Sequence, residues 1–548
     1  MTLGTVRMRR VWRLLGVVAA VTLAAAGCMQ PSGTGDEATV VKDQVDAVAL
    51  AQSDPAPPPL TVLSAADVTA VTQAAAESLA ATTMIIAVVD REGTVLGLYR
   101  KGSAPTTVAG NFGVGVNAND HAVSLARTGA FFSNDEAPLS SRTVRFISGI
   151  HFPPGIANKP NAELYGIENT NRGCPFVTPG DPAFNITPGL TRPISVNGGT
   201  CDTTDASGCG LGIATGKADV NDSVPSAVTG GGVPIFKNGR VVGGIGVTGI
   251  DPSSAEYAAF KGSIPSTVFG PQAAAPGVIF IDGIALPFVD NTSPPSGAVT
   301  GGTFNAASFV FGPIASPRGE AGVPDGYLIG PVGGSALSLT DVTTIVNQAV
   351  AQSLKTRAAI RLPPSRPAKM MIAVSDVDGR ILALFRMPDS TIFSIDVAVT
   401  KARNVIYFSG ANRVASDLPN VPIGTAVTAR TISFGAQPLF PPGIDGSGPG
   451  PFFNLYKNDV ARPCKQGSEP ANIHQSGIIF FPGSTPLYRN GALIGGLGVS
   501  GDGVAQDDLV AAAGATGYAP AEAIRADQIV IGDVRLPYFK FPQNPELL

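Results

Sequence analysis

Gly239-Arg-Val-Val-Gly-Gly-Ile-Gly-Val-Thr-Gly249 and Gly491-Ala-Leu-Ile-Gly-Gly-Leu-Gly-Val-Ser-Gly501 are two versions of one pattern. Each begins at an Asn-Gly pair, Asn238-Gly239 and Asn490-Gly491, the strongest short signal for a two-residue hairpin turn. Outward from these stretches, the chain keeps matching itself in the same order. Leu63-Ser-Ala-Ala-Asp-Val-Thr69 pairs with Leu337-Ser-Leu-Thr-Asp-Val-Thr343, and Met84-Ile-Ile-Ala-Val-Val-Asp90 with Met370-Met-Ile-Ala-Val-Ser-Asp376. Phe152-Pro-Pro-Gly-Ile156 recurs as Phe440-Pro-Pro-Gly-Ile444, and the stretch Ile279 to Phe288 as Ile529 to Tyr538. Self-similarity in order means a tandem arrangement. The expected layout is copy one at 62–288, a Gly/Pro/Ser linker at 289–335, copy two at 336–542 and a tail at 543–548.

Each copy predicts the same elements. Ser64-x-x-Asp67 and Ser338-x-x-Asp341 are capping boxes that start a helix. An apolar strand, a turn (Asp90-Arg-Glu-Gly93; Asp376-Val-Asp-Gly379) and a second strand form a hairpin. A helix is expected at 119–132 and 395–409, then a long irregular insertion (133–230 and 411–480), the Asn-Gly hairpin and a last helix after Gly249 or Gly501. Helices packed on an antiparallel sheet make an α+β fold.

The chain has 548 residues, a formal net charge of -4, and only 14% charged residues. No Lys/Arg run follows the N-terminus, so a nucleic-acid binder, which needs a basic stripe, is not expected. Arg9, Arg10 and Arg13 precede an apolar run from Leu14 to Ala26, too short to span a bilayer, and then Gly27-Cys28. This is the layout of an export signal, residues 1–27. Cys28 after Ala-Gly resembles the lipobox of bacterial lipoproteins, which implies lipidation at Cys28 and a membrane anchor. Residues 28–61 then read as a Pro-rich tether. Gln30, by resemblance to lipoprotein sorting, favours an outer membrane.

Cys174, Cys201, Cys209 and Cys464 remain, and an even number in an exported chain points to two disulfides. Three pairings are possible. Cys174 and Cys464 follow matching Leu-Tyr pairs (Leu164-Tyr165; Leu455-Tyr456), so a Cys174–Cys464 bridge would staple copy to copy if the copies pack as a pseudo-dimer. Cys201–Cys209 is then the second pair.

Three motifs in copy two, M-I-A-V-S-D-V-D-G-R-I-L-A-L-F-R-M, S-I-D-V-A-V-T-K-A-R and G-S-T-P-L-Y-R-N-G-A-L-I-G-G-L-G-V-S-G, resemble the haem-binding, haem-degrading family of the HbpS and GlcG type. The resemblance covers both copies, since the three ordered motifs are seen twice. The resemblance implies profilin-like domains, assembly into dimers or larger rings, and haem as the expected cofactor in some members.

Several constellations bear on a ligand. Both glycine stretches spell G-x-G-x-x-G, but the preceding strand belongs to an Asn-Gly hairpin rather than a βαβ unit, so close helix–sheet packing is favoured over dinucleotide binding. Gly498 and Gly501 remain candidates for an anion site, because backbone N–H groups at the helix start suit a carboxylate or propionate. Asp396 and Arg403 are seven apart, nearly two helical turns, and Asp120 and Arg127 repeat the spacing. With Arg386, Arg100 and Lys401 they form a candidate pocket for an acidic ligand, competing with plain helix-dipole complementarity. Leu125 replaces Lys401 in copy one, which favours copy two as the competent half. Of the histidines His121, His151 and His474, none has a histidine counterpart in the other copy; His121, on the Asp120–Arg127 helix, is the best haem axial candidate. No H-E-x-x-H or G-x-S-x-G occurs, so neither a metal centre nor a hydrolase triad is expected.

The leading expectation is an exported, lipid-anchored protein binding haem or a related acidic tetrapyrrole in the cell envelope, for sequestration or sensing. A slow haem-degrading or small-carboxylic-acid enzyme, and a structural or partner-binding lipoprotein, are the other two readings.

Overall fold

The computed structural model describes residues 62–113, 115–148, 163–172, 174, 230–270, 279–281, 284–314, 325–444 and 446–546. These belong to one compact unit, 43–548; the other unit, Met1–Lys42, lies outside the described residues, as do Cys28, Cys201, Cys209, His151 and the tether.

The first α+β unit has helix α1 (Ala65–Ser78), strands β1 (Ile85–Asp90) and β2 (Val95–Arg100), helices α2 (Ala118–Phe132) and α3 (Ser141–Ser148), strands β3 (Gly232–Lys237) and β4 (Arg240–Thr248), helix α4 (Pro252–Ser263) and strand β5 (Phe309–Phe311). The second has strand β6 (Gly326–Ile329), helix α5 (Leu339–Lys355), strands β7 (Met371–Ser375) and β8 (Ile381–Arg386), helices α6 (Ser394–Ser409), α7 (Ala429–Gly435) and α8 (Phe453–Ala461), strands β9 (Ser484–Arg489) and β10 (Ala492–Ser500), and helix α9 (Val504–Gly514). Both capping boxes form: Ser64 with Asp67 and Ser338 with Asp341 exchange side-chain-to-backbone hydrogen bonds. Asn238-Gly239 and Asn490-Gly491 all take positive φ, as a two-residue hairpin turn requires.

The two sheets have the same strand order, β3–β4–β1–β2–β5 and β9–β10–β7–β8–β6, antiparallel throughout. Their registers correspond. Ile85 faces Thr248 and Met371 faces Ser500. Bulges also fall at matching places: Val88/Val89 and Val374/Ser375 in the first hairpin, Ile235/Phe236 and Leu487/Tyr488 in the second. The stretch expected as a linker, 289–335, does more than connect. It supplies β5 to one sheet and β6 to the other, each a short edge strand. Period-based reading missed these strands because they are three and four residues long and set among Gly and Pro.

The glycine stretches bring a helix backbone onto a strand backbone. A Cβ on Gly246 would lie 1.9 Å from the Ala122 carbonyl oxygen of α2, and one on Gly498 would lie 2.1 Å from that of Ala398 on α6. Only glycine permits that approach, so the G-x-G-x-x-G spelling records packing. Arg127 and Arg403, from the same two helices, each donate from Nε to a turn carbonyl, Gly93 O and Gly379 O, both at 2.9 Å. They fasten the first hairpin to the helix.

On one side of each sheet lies a private core, formed with α1 and α4 in the first unit and with α5 and α9 in the second. On the other side, α2 and α6 carry a single cluster drawn from both units, including Phe132, Val123, Phe393, Ile395 and Phe481. Phe132 and Phe393 stack at 4.2 Å, and the N–H groups of Ile392 and Phe393 donate to Phe131 O. The copies are thus joined by a shared core. A further cluster around Tyr456, Phe452 and Phe480 packs α7 and α8, from the second insertion, and also takes in Tyr165 of the first unit.

Residues 163–174 clasp the second unit. Cys174 is bridged to Cys464, Cα atoms 5.4 Å apart, as the matching Leu-Tyr spacing led us to expect. Arg172 pairs with Asp459 at 3.0 Å, Asn169 donates to Asp459 at 2.8 Å, and the Asn171 N–H donates to Asp396 at 2.9 Å. Burial pushes the carboxyls of Asp396 and Asp459 up to about 6, although Arg172 opposes the shift in both.

Two outcomes follow. Gly498→Ala should lower stability by about 1–3 kcal/mol or more, because backbone cannot retreat as a side chain can; an unchanged urea midpoint would contradict the packing. Asp396 holds its proton more tightly folded, at about 6, than unfolded, at 3.8, so its contribution is fully present below pH 4 and is lost as pH rises through 6. Asp396→Asn keeps an acceptor for Asn171 and removes the titration. Relative to the wild type it should gain up to about 3 kcal/mol at pH 8 and nothing at pH 4, at about 1.4 kcal/mol per pKa unit. Urea midpoints of both proteins at the two pH values measure this, and an equal difference at both would refute it.

Candidate functional site

A small, partly open cavity of about 60 Å³ lies on the seam between the units. The first unit contributes Phe132, Leu139, Ile147 and Ile167; the second contributes Ile360, Phe393 and Phe481. One rim is polar: Ser500, Gly501, Gly503, Val504, Ala505 and Gln506, the end of β10 and the first turn of α9. Its walls are mostly apolar, as those of ligand pockets are, but it is smaller than a pocket that encloses a drug-sized molecule.

The two units differ at this rim. In the first, Asp251 caps α4, its side chain accepting from the Ser254 N–H, and Pro252 occupies the first turn. In the second, Gly503 stands at the cap and no side chain closes the helix. The positive end of α9 therefore opens on the cavity, where it favours an anion. One turn further in, Asp507 lines the cavity. Its Oδ2 accepts from the Lys401 ammonium at 3.0 Å, and Lys401 also donates to Val499 O at 2.8 Å and lies over the Phe481 ring. Burial pushes the Asp507 carboxyl up to about 7 against the pull of Lys401, and burial also lowers Lys401. Asp507 Oδ1 has no hydrogen-bond partner among the described residues. The first unit has Leu125 and Ala255 at these two places, counted from α2 and from Gly249.

The expected polar pocket of Arg386, Asp396, Lys401 and Arg403 does not assemble. Asp396 and Arg403, seven apart, do feel each other's charge, as their spacing implied. Lys401 is five residues from Asp396, about 140° around the helix, so it faces away, toward α9. Arg403 is spent on the Gly379 turn. Arg386 pairs with Asp325 at 2.5 Å and donates to Ser390 O at 2.7 Å, at the sheet edge. In the first unit, Arg100 donates to Asn119 at 2.5 Å and to Ala104 O and Pro105 O, Asp120 lies in the first turn of α2, and Arg127 holds Gly93 O. Of the named ligand candidates, Gly501 lines the cavity, Lys401 reaches its rim through Asp507, and Gly498 serves helix packing.

The axial candidate His121 is also elsewhere. It is 1% exposed, its Nδ1 meets Thr248 Oγ1 at 2.9 Å, and burial lowers it to about 4. His474, half-buried on its loop, meets Asp378 O through Nδ1 at 2.8 Å. Among the described residues no His, Met, Cys or Tyr lines the cavity, and no cluster of three or more His, Cys, Asp or Glu is placed to hold a metal ion.

Asp507 was not singled out from sequence, nor was the ion network around the cavity. Arg361 joins Asp502 at 2.5 Å, Asp389 at 2.6 Å and, across the seam, Glu136 at 3.3 Å. Glu163 of the first unit, also on the cavity wall, is held by Arg430 and Lys540 at 2.8 Å each. The signal for Asp507 was present. Lys401 replaced by Leu125 and Asp507 replaced by Ala255 are one coupled difference between the copies.

Residues 337–516 match the family model described as haem degrading protein HbpS-like. Three crystal structures are similar: a PduOC:heme complex (22% identity, covering 33% of this chain and 95% of that one, TM-score 0.22), the Klebsiella pneumoniae protein ORFY of DUF336 (19%, 33% and 88%, 0.22), and a double mutant of Streptomyces reticuli HbpS (18%, 38% and 97%, 0.20). No curated protein matches the chain. Residues 337–516, within the second α+β unit, are thus similar to the HbpS-like family.

Proposed function

We propose that this is an exported, lipid-anchored protein that binds haem or a closely related tetrapyrrole in the cell envelope, where it sequesters or senses that ligand. One observation carries the binding reading: an apolar cavity at the seam, with an uncapped helix N-terminus on its rim. A tetrapyrrole is an apolar plate bearing carboxylates. An apolar edge of the plate suits Phe132, Ile147, Phe393 and Phe481, and a propionate suits the first turn of α9. Iron ligation does not fit the same place, since no ordinary axial residue among the described residues lines it, and no step through iron is assigned. Binding therefore rests on the walls and on α9. The family description of residues 337–516 supports the ligand class. The export signal, Cys28 and a formed Cys174–Cys464 bridge support an oxidising compartment and an anchor.

Titration with haem, followed in the Soret band, should saturate at one equivalent per chain. Ala505→Asp puts a carboxylate in the first turn of α9, which suits the helix dipole and repels a ligand carboxylate. It should leave the melting temperature intact and weaken haem at least tenfold. Equal affinity in the variant would remove the site, and no saturable binding by the wild type would remove the function.

A further inference from the structure

A ligand that the seam cavity encloses whole is small. At about 10–15 Å³ for each water-sized occupant, a cavity of about 60 Å³ holds about four to six non-hydrogen atoms. Two kinds of charge meet on its walls. The first is positive. Gly503 precedes α9 and Phe393 precedes α6, both on the cavity wall, and neither helix start has a side-chain cap. Their counterparts in the first unit are capped, α2 by Asn117 and α4 by Asp251. An uncapped start leaves backbone N–H groups and the positive helix end for an anion.

The second is negative. Asp507, one turn or about 6 Å into α9, lines the cavity and is 3% exposed. Its Oδ2 accepts from Lys401, whereas Oδ1 has no partner among the described residues. A buried carboxylate oxygen without a donor is costly, so it calls for a ligand that brings one. Glu163, from the first unit, adds a second carboxylate to the wall, with one oxygen held by Arg430 and Lys540. A simple carboxylate answers only the helix starts, and a simple amine answers only Asp507. Either brings an uncompensated charge into apolar surroundings. A small α-amino acid answers both, since it carries a carboxylate and an ammonium on one carbon and has no net charge. We propose that the seam cavity is a binding site for a small apolar α-amino acid, of the size of glycine or alanine, with its carboxylate at the first turn of α9 and its ammonium on Asp507 Oδ1. This goes beyond the tetrapyrrole reading, because it addresses the same turn of α9 with a ligand that fits inside the walls.

The test is calorimetric titration of the full chain at pH 8, above the value of about 7 to which burial lifts Asp507. Glycine and propionate are the decisive probes, because they have the same number of non-hydrogen atoms and differ only in ammonium against methyl. Glycine should saturate at one equivalent and bind at least tenfold more tightly than propionate. L-phenylalanine, too large for the walls, should not bind. The double variant Lys401→Leu/Asp507→Ala gives the second unit the residues of the first, Leu125 and Ala255. It should weaken glycine at least tenfold and propionate less than threefold, with its fold confirmed by circular dichroism. If this variant fails to fold, Asp507→Asn with Lys401 retained replaces it. The amide loses the charge, so glycine should weaken severalfold while propionate is unaffected. Propionate or L-phenylalanine binding as tight as glycine, undiminished glycine binding in the folded variant, or no saturable glycine binding by the wild type overturns the inference. Haem titration of the same protein decides the tetrapyrrole reading separately, so haem binding without glycine binding overturns this inference and leaves that reading standing.

Discussion

The carbonyl oxygens of Ala122 and Ala398 occupy the space that side chains of Gly246 and Gly498 would need. That contact sets how low α2 and α6 ride on their sheets. Because both helices lie almost on the strand backbones, their outer faces are level enough to press together and form the shared core with Phe132 stacked on Phe393. The cavity is the place where this pressing is incomplete, between the C-terminal end of α2 and the first turn of α9. Raise either helix by one methyl group and the seam, the clasp at 163–174 and the cavity walls all shift together.

Much of this architecture was legible because local chemistry repeats. The capping serines, the Asn-Gly turns and the glycine stretches each have one conformational solution, and two copies of each gave the element order and the equivalence of Cys174 with Cys464. The edge strands β5 and β6 were not legible, since so few residues carry no period. The binding rim was half legible. Gly501 was named for its place at a helix start, and that is where it stands. Lys401 was placed in a pocket with Asp396 and Arg403, whereas its partner, Asp507, is 106 residues away and is brought close only by the sheet.

The Lys401–Asp507 pair is weak as a stabilising device. Taking two charges out of water costs several kcal/mol per ion, and apolar replacements of such pairs are often neutral or better. The first unit makes the comparison internally, packing Leu125 and Ala255 on the same framework. A pair that the fold does not need, placed beside a helix whose cap is missing, separates the two halves by role. The first unit closes its helix with Asp251 and lends walls to the cavity, while the second supplies the polar rim.

The bridge between Cys174 and Cys464 links points 290 residues apart, and the whole segment from one unit's insertion through to the other's becomes a covalent ring. A single peptide-bond cut anywhere inside that ring, including between the two edge strands, releases no fragment. A nicked chain differs from the intact one only by the water added at the cut, and its pieces separate only once the disulfide is reduced. The ring makes the seam tolerant of damage, since its two walls stay tethered even when the chain between them is broken.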